Sequence, residues 1–223
     1  MIGDKDRSGW IGASDTKFVM AENRRTKTWI NWWDVKLGKM ESPFQGSIYT
    51  RAGDRFEHHI LQEINPNMRM DGQIVMEKYL LRVNYDGYCD SIIYEVKTHK
   101  GDKEFQLIPA YWQQAQVEMY VYQTMYKKWF LPEFKKLYVV SYALYPDEYY
   151  LEDNEIEIDP DRIIMHEVLY DKSWVKGEYL PKLKELARAL KKKKNPLGVP
   201  NEAHKFKTSK GNADFNESEE GGL

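Results

Sequence analysis

The chain has 223 residues, 42% of them apolar and 14% aromatic, enough to bury one good-sized core, so a single domain is the default. Charged residues make up 30% but the formal net charge is only −2, so nucleic-acid binding would need basic residues gathered in one groove. The single cysteine, Cys89, excludes an internal disulfide, a four-cysteine zinc site and a cysteine-ligated iron–sulfur cluster.

No apolar run approaches the ~20 residues of a membrane span and no signal peptide opens the sequence, so the cytoplasm is the expected location. Residues 1–13 read as irregular. Ser14 is placed to cap a short helix that has Asp15 in its first turn and ends near Asn23. A helix N-terminus with Arg7 nearby is also a ready anion site.

A second helix, about Thr28 to Leu37, carries Trp29, Trp32, Trp33 and Leu37 at helical spacing and stops at Gly38. Tryptophan stacks on DNA bases, yet an apolar helix face docked on a core is the commoner arrangement. A loop over Pro43 to Ser47 leads to a third helix from Ile48 to Ile64, apolar along Ala52, Phe56, Ile60 and Ile64. Glu57 stands one turn after Gly53, where another backbone can come close. His58 and His59 point about 100° apart, cannot chelate one ion together, and read as structural.

From Met68 to Thr98 the residues alternate well enough for three or four antiparallel strands, with turns expected at Asp71-Gly72 and Asp90-Ser91. Tyr79 to Cys89 forms one strand of the last hairpin and Ile92 to Thr98 the next, joined by a two-residue polar turn. That turn sets Asp86 opposite Glu95 and Asn84 opposite Lys97. Alternation then brings Asp86, Glu95 and Lys97 out on one face and Val96 on the other. Opposed Cβ atoms lie roughly 4.5–5.5 Å apart, where two like charges are destabilising. Two carboxylates at that spacing need a cation between them; Mg²⁺ or Mn²⁺, flanked by the Lys97 ammonium, is the simplest. The plain alternative is a solvated face with a surface ion pair worth about 0–1 kcal/mol. Glu133-Phe134-Lys135 is also a Glu-x-Lys triplet, but no carboxylate-bearing strand precedes it.

After a polar connection over Lys100 to Glu104, Pro109 opens a helix to about Lys127 that is apolar almost all round. Gln113, Gln116 and Tyr120 form a polar stripe on it. Buried amides cost roughly 1–3 kcal/mol each without partners, so these either bond internally or line a cleft. Leu137 to Leu144 and Ile163 to Leu169 read as strands. Asp171 caps a last helix to about Lys194, broken or restarted near Pro181. The run Lys191 to Lys194 suits a solvated helix end. Beyond Pro200 the chain is polar and acidic, so the domain is expected over 1–197 and a disordered tail over 198–223.

Asp…Glu-x-Lys on adjacent strands resembles the signature of the PD-(D/E)xK nucleases, and three further motifs narrow the resemblance. Arg7 to Ser14, RSGWIGAS, resembles the N-terminal Arg-x-Gly-x-x-x-Ala-Ser segment of the phage lambda exonuclease, or YqaJ-type viral recombinase, family. Gly53 to Glu57 resembles that family's Gly-x-x-x-Glu helix. Asp86-Gly87 with Glu95-Val96-Lys97 is similar to its metal-binding pair, and Ala115-Gln116-Val117 resembles its glutamine motif. The likeness runs motif by motif from Arg7 to Tyr122 and only in element order to about Lys194. The family usually has Ser-Pro before the Asp-Gly; here Asn84-Tyr85 stands there.

The resemblance implies an α/β (α+β) fold with a restriction-endonuclease-like core, a central mixed sheet flanked by helices. It implies that Asp86, Glu95 and the Val96 carbonyl bind Mg²⁺ or Mn²⁺, that Lys97 positions and activates the attacking water, and that Glu57 is an acidic helper. Arg7, Ser14 and Gln116 would hold a terminal 5′-phosphate, with Asn84 and Gln113 on the same DNA-binding side. The implied activity is a 5′→3′ exonuclease on double-stranded DNA that leaves a 3′ overhang for a single-strand annealing partner. A ring-shaped homotrimer threaded by the DNA is implied with it. Two other readings keep the core: an endonuclease of restriction or repair type, and a DNA-binding protein that has lost the chemistry. The intact Asp86, Glu95 and Lys97 argue against the second, and the Arg7/Ser14 segment argues against the first.

Overall fold

The structure, a computed structural model, describes residues 8–42, 46–128 and 133–196. Arg7 and the tail expected over 198–223 lie outside the described residues. The N-terminal segment is more regular than its composition implies. Ile11–Gly12 forms a two-residue strand, β1, that pairs in parallel with Leu81 and Arg82. Gly12 then donates its N–H to Asp15 Oδ2 at 2.7 Å, which starts the turn Ala13–Asp15 and the short helix α1 (Thr16–Val19). The cap expected at Ser14 is therefore corrected. Asp15 reaches back to the chain entering the turn, while Ser14 stays exposed and the helix ends at Val19.

Thr26 caps α2 (Lys27–Lys36), accepting the Trp29 N–H at 3.2 Å, and Gly38 ends it at φ +68°. Trp29, Trp32 and Trp33 are buried, and Trp29 donates its indole N–H to the Phe18 carbonyl at 3.0 Å. The docked-face reading accounts for the tryptophan spacing. Ser47 caps α3 (Ile48–Ile64), which buries Ala52, Phe56, Ile60 and Leu61. A Cβ at Gly53 would stand 2.6 Å from Thr98 Oγ1, so only glycine lets α3 lie this close on the sheet.

The sheet has six strands: β1, β2 (Arg69–Met76), β3 (Leu81–Cys89), β4 (Ile92–Lys100), β5 (Lys136–Leu144) and β6 (Ile163–Val168). Its order is β1-β3-β4-β5-β6, with β2 also pairing β3. The turn expected at Asp71-Gly72 is corrected. β2 runs straight through those residues, Asp71 taking φ +55° within the strand, and the chain turns instead over Glu77 to Leu80. The helix α4 (Pro109–Met125) crosses from β4 to β5, and those strands pair in parallel over their whole length.

Two cores lie on the two faces. Val83, Tyr85, Ile93 and Val139 pack with α2, α4 and the C-terminal helix. Tyr94, Val96, Val140 and Tyr142 pack under α3. Asp171 caps the C-terminal helix, accepting the Trp174 N–H at 2.9 Å. That helix passes from α5 (Lys172–Trp174) through one π turn, Val175–Tyr179, into α6 (Leu180–Lys191). The wider turn makes room for the ring of Pro181, which would clash in a regular helix. No helix among the described residues is long and apolar enough to cross a membrane.

Candidate active site

β2 pairs one edge of β3 along most of its length, so the partners of the other edge decide where β3 is open. There β4 pairs only Gly87 to Cys89, and β1 only Leu81 and Arg82. Residues 83–86 of β3 therefore face a fork between the strands. The hairpin that sets the fork has the expected register, Gly87 opposite Tyr94, and Asp90 and Ser91 have φ +50° and +72°, both positive as a type I′ turn requires. One step further along that register come Asp86 and Glu95, where the backbones part.

Asp86 fills the gap with its own side chain, its Oδ2 accepting the Val96 N–H at 2.8 Å. Alternation also slips here. Tyr85 packs on the α4 side, whereas a Cβ at Gly87 would press on Leu61 and Met68 on the α3 side. Glu95 and Lys97 meet directly, and Asp86 lines the same two cavities with them, its carboxylate set in the fork where the backbones part.

Glu95 is almost wholly buried. Its Oε1 receives Lys97 Nζ at 2.5 Å and Gln114 Nε2 at 2.5 Å, and its Oε2 has no hydrogen-bond partner among the described residues. Gln114 also reaches Glu118 Oε1 at 2.9 Å, and the buried Glu118 Oε2 lacks a partner as well. Burial, then the Glu95 charge, holds the carboxyls of Asp86 and Glu118 well above the usual range. The same two causes push Glu57, from α3, up to about 7. Burial alone would lower the pKa of Lys97, but the Glu95 and Asp86 carboxylates outweigh it and hold the ammonium charged. Lys97 Nζ also lies 5.4 Å from the Tyr111 ring centre.

Four carboxyl groups around one ammonium is an arrangement short of positive charge. The unpartnered Glu95 Oε2 and the hard oxygen donors of Asp86 and Glu57 fit a divalent cation of the Mg²⁺ type. Two cavities meet at the cluster. One, of about 310 Å³, is lined by Tyr49, Thr50, Gly53 and Glu57. The other, of about 330 Å³, is lined by Ser14, Lys36, Arg82, Asn84 and Gln114. Asp54, Asp86, Glu95 and Lys97 line both.

No family model matches this sequence, and no curated protein matches it significantly. Solved structures do. An alkaline exonuclease (LHK-Exo) from Laribacter hongkongensis superposes with a TM-score of 0.56 at 15% identity, over 82% of this chain and 89% of that one. The same exonuclease in complex with dAMP gives 0.57 at 16% identity, over the same shares of the two chains. A phage-related exonuclease from Haemophilus somnus 129PT gives 0.55 at 16% identity, over 82% and 92%. The fold is the one these exonucleases share. It is the α/β core, a mixed sheet flanked by helices, that the motifs implied.

Of the residues expected from sequence, Glu57, Asp86, Glu95, Val96 and Lys97 come together at the junction with the first cavity, and Ser14 and Asn84 line the second. Gln116 does not join them. It is fully buried, donating to the Leu169 carbonyl at 2.8 Å and accepting the Asp171 N–H at 2.7 Å, so its amide ties α4 to the start of α5. Gln113 lines neither cavity. The glutamine that enters the site is Gln114, followed by Glu118 one turn on, and sequence reasoning missed both. An amide and a carboxylate at i, i+4 on an otherwise apolar helix was the available signal. His58 pairs with Asp71 at 3.3 Å and His59 with Asp153 at 3.1 Å, on separate partners. Glu57, His58 and Asp71 bring ligand atoms within 4.8 Å of one another on the outer side of the site.

Proposed function

We propose that this protein is a metal-dependent deoxyribonuclease, acting as a 5′→3′ exonuclease on double-stranded DNA. The observation that carries it is the meeting of Asp86, Glu95 and Lys97 at the junction of two cavities, with one buried Glu95 oxygen left unpartnered. The likeness to exonuclease structures supports the reading.

Asp86, Glu95 and the Val96 carbonyl would hold Mg²⁺ or Mn²⁺, with Glu57 at the edge of the same group. A bound divalent ion supplies Lewis acidity toward a phosphoryl oxygen and lowers the pKa of a nearby water. The chain's own part is positioning. Gln114 and Lys97 both bond to Glu95 Oε1, which fixes that carboxylate and leaves Oε2 with no hydrogen-bond partner among the described residues. Lys97 stays charged and stands where negative charge would grow on a phosphodiester under attack. Asp86, held by the Val96 N–H, cannot swing out of the fork.

Ser14 and Asn84 belong to the substrate end of this reading. Asn84 Oδ1 accepts from Gln73 Nε2 at 3.0 Å, which leaves its amide N–H groups as the donors for a phosphate. From the family resemblance we extend the reading to a 3′ overhang passed to a single-strand annealing partner, to a homotrimer around the DNA, and to action in the cytoplasm. The deciding experiment incubates purified protein with linear and covalently closed DNA, with and without Mg²⁺. Degradation of the linear form alone, abolished by EDTA, is expected. Nicking of the closed form would replace the exonuclease reading with an endonuclease one, and no cleavage of either would overturn both.

A further inference from the structure

Glu118 is fully buried on α4, and packing alone does not account for a carboxyl there. An apolar side chain of the same length would fill the space without the cost of desolvating an acid. Its Oε1 accepts from Gln114 Nε2 at 2.9 Å, and its Oε2 has no hydrogen-bond partner among the described residues. The backbone of Glu118 is anchored as well. Tyr85, the neighbour of Asp86 on β3, donates its hydroxyl to the Glu118 carbonyl at 2.9 Å and pins this turn of α4 to that strand.

Gln114 and Glu118 stand one helical turn apart and share a face of α4. The amide nitrogen of a glutamine carries two hydrogens. Gln114 Nε2 reaches Glu95 Oε1 at 2.5 Å and Glu118 Oε1 at 2.9 Å, so both hydrogens have an acceptor. A glutamine held at Glu95 alone is free to pivot about that bond and to lose it to its own side-chain entropy. One held at both hydrogens is not. The chain of contacts therefore runs from Glu118 through Gln114 to Glu95, whose second oxygen is the unpartnered one.

We propose, on the nuclease reading above, that Glu118 is a positioning residue: through Gln114 it holds the Glu95 carboxylate in the orientation that binds the divalent ion. Glu118 itself touches neither ion nor substrate. Groups that orient a metal ligand from outside typically govern roughly ten- to a hundredfold of metal affinity.

The test compares the wild type with Glu118→Met, Glu118→Gln, Gln114→Ala and the double variant Glu118→Met/Gln114→Ala. Mn²⁺ affinity is measured by isothermal titration calorimetry without DNA, with thermal melting alongside. Glu118→Met keeps the side-chain length, removes the acceptor and should weaken Mn²⁺ binding about tenfold. Glu118→Gln keeps an acceptor oxygen and should recover most of that loss. Because Glu118 acts through Gln114, the double variant should bind Mn²⁺ no more weakly than Gln114→Ala alone. Cleavage of a linear duplex at limiting Mn²⁺ should follow the same order. An affinity unchanged in Glu118→Met, whatever its melting temperature, overturns the assignment and leaves the nuclease reading intact. Losses that multiply in the double variant, or a Glu118→Gln variant as weak as Glu118→Met, do the same. A Glu118→Met chain that does not fold makes the carboxyl a requirement of the core and overturns the assignment too. Failure of the wild type to bind Mn²⁺ or to cleave DNA overturns the nuclease reading beneath it.

Discussion

The Val96 backbone N–H bonds to the Asp86 carboxylate at 2.8 Å, so a side chain takes the ladder position that the backbone of β3 has left. The acid that would bind the metal is thus also the plug that keeps the fork between β3 and β4 in shape. Asp86→Asn keeps an acceptor for that N–H, and Asp86→Ala does not. Both should abolish cleavage, but Ala should be the less stable of the two by about 1–3 kcal/mol, the cost of leaving a buried N–H unpaired. Urea denaturation checks the difference, and equal stabilities would show that the bond does not matter. Glu133→Gln is the matched control and should change neither property.

Lys97 should matter to turnover rather than to folding. Lys97→Ala removes the ammonium bonded to Glu95 Oε1 and should lower turnover about 10²-fold or more. Early melting with normal turnover per folded molecule would instead make Lys97 a structural ion pair.

The two glutamines should separate cleanly. Gln116→Ala strands the Leu169 carbonyl and the Asp171 N–H, and should cost about 1–3 kcal/mol of stability with little change in turnover per folded molecule. Gln114→Ala releases Glu95 Oε1 and should cut turnover with a smaller effect on melting. Reversal of the two phenotypes would mean that Gln116 rather than Gln114 faces Glu95.

Metal-free stability should fall as pH rises from about 6 to 8. The Glu57 carboxyl is raised from its ordinary value to about 7 by burial and by Glu95, and Asp86 and Glu118 are raised as well. A group that binds its proton more tightly when folded stabilises the fold fully below its unfolded pKa and loses that contribution as pH rises through its folded pKa. His166, whose pKa burial lowers, works in the opposite direction, so the decisive comparison is with Glu57→Gln, which should flatten the fall. Thermal melts in EDTA measure it, and added Mg²⁺ should shrink it by supplying the missing positive charge. A wild-type melting point that is flat or rising over this range would contradict the electrostatics described.

The sequence by itself determined what short-range chemistry determines. A two-residue polar turn fixes hairpin register, so Asp86 could be set beside Glu95 from the numbering alone, and the caps at Asp171 and Gly38 follow from local backbone preferences. The apolar stripe of α3 likewise showed which side of it meets the sheet. Only the tertiary structure decided what depends on how elements lie against one another. α4 is apolar almost all round, so periodicity could not say whether Gln113, Gln114 or Gln116 faces the sheet; packing against β3, β4 and α5 turns Gln114 inward to Glu95 and gives Gln116 to the α5 cap. Alternation cannot be counted through the slip between Tyr85 and Gly87 either, so the bond from the Val96 N–H to Asp86 was not legible in the sequence.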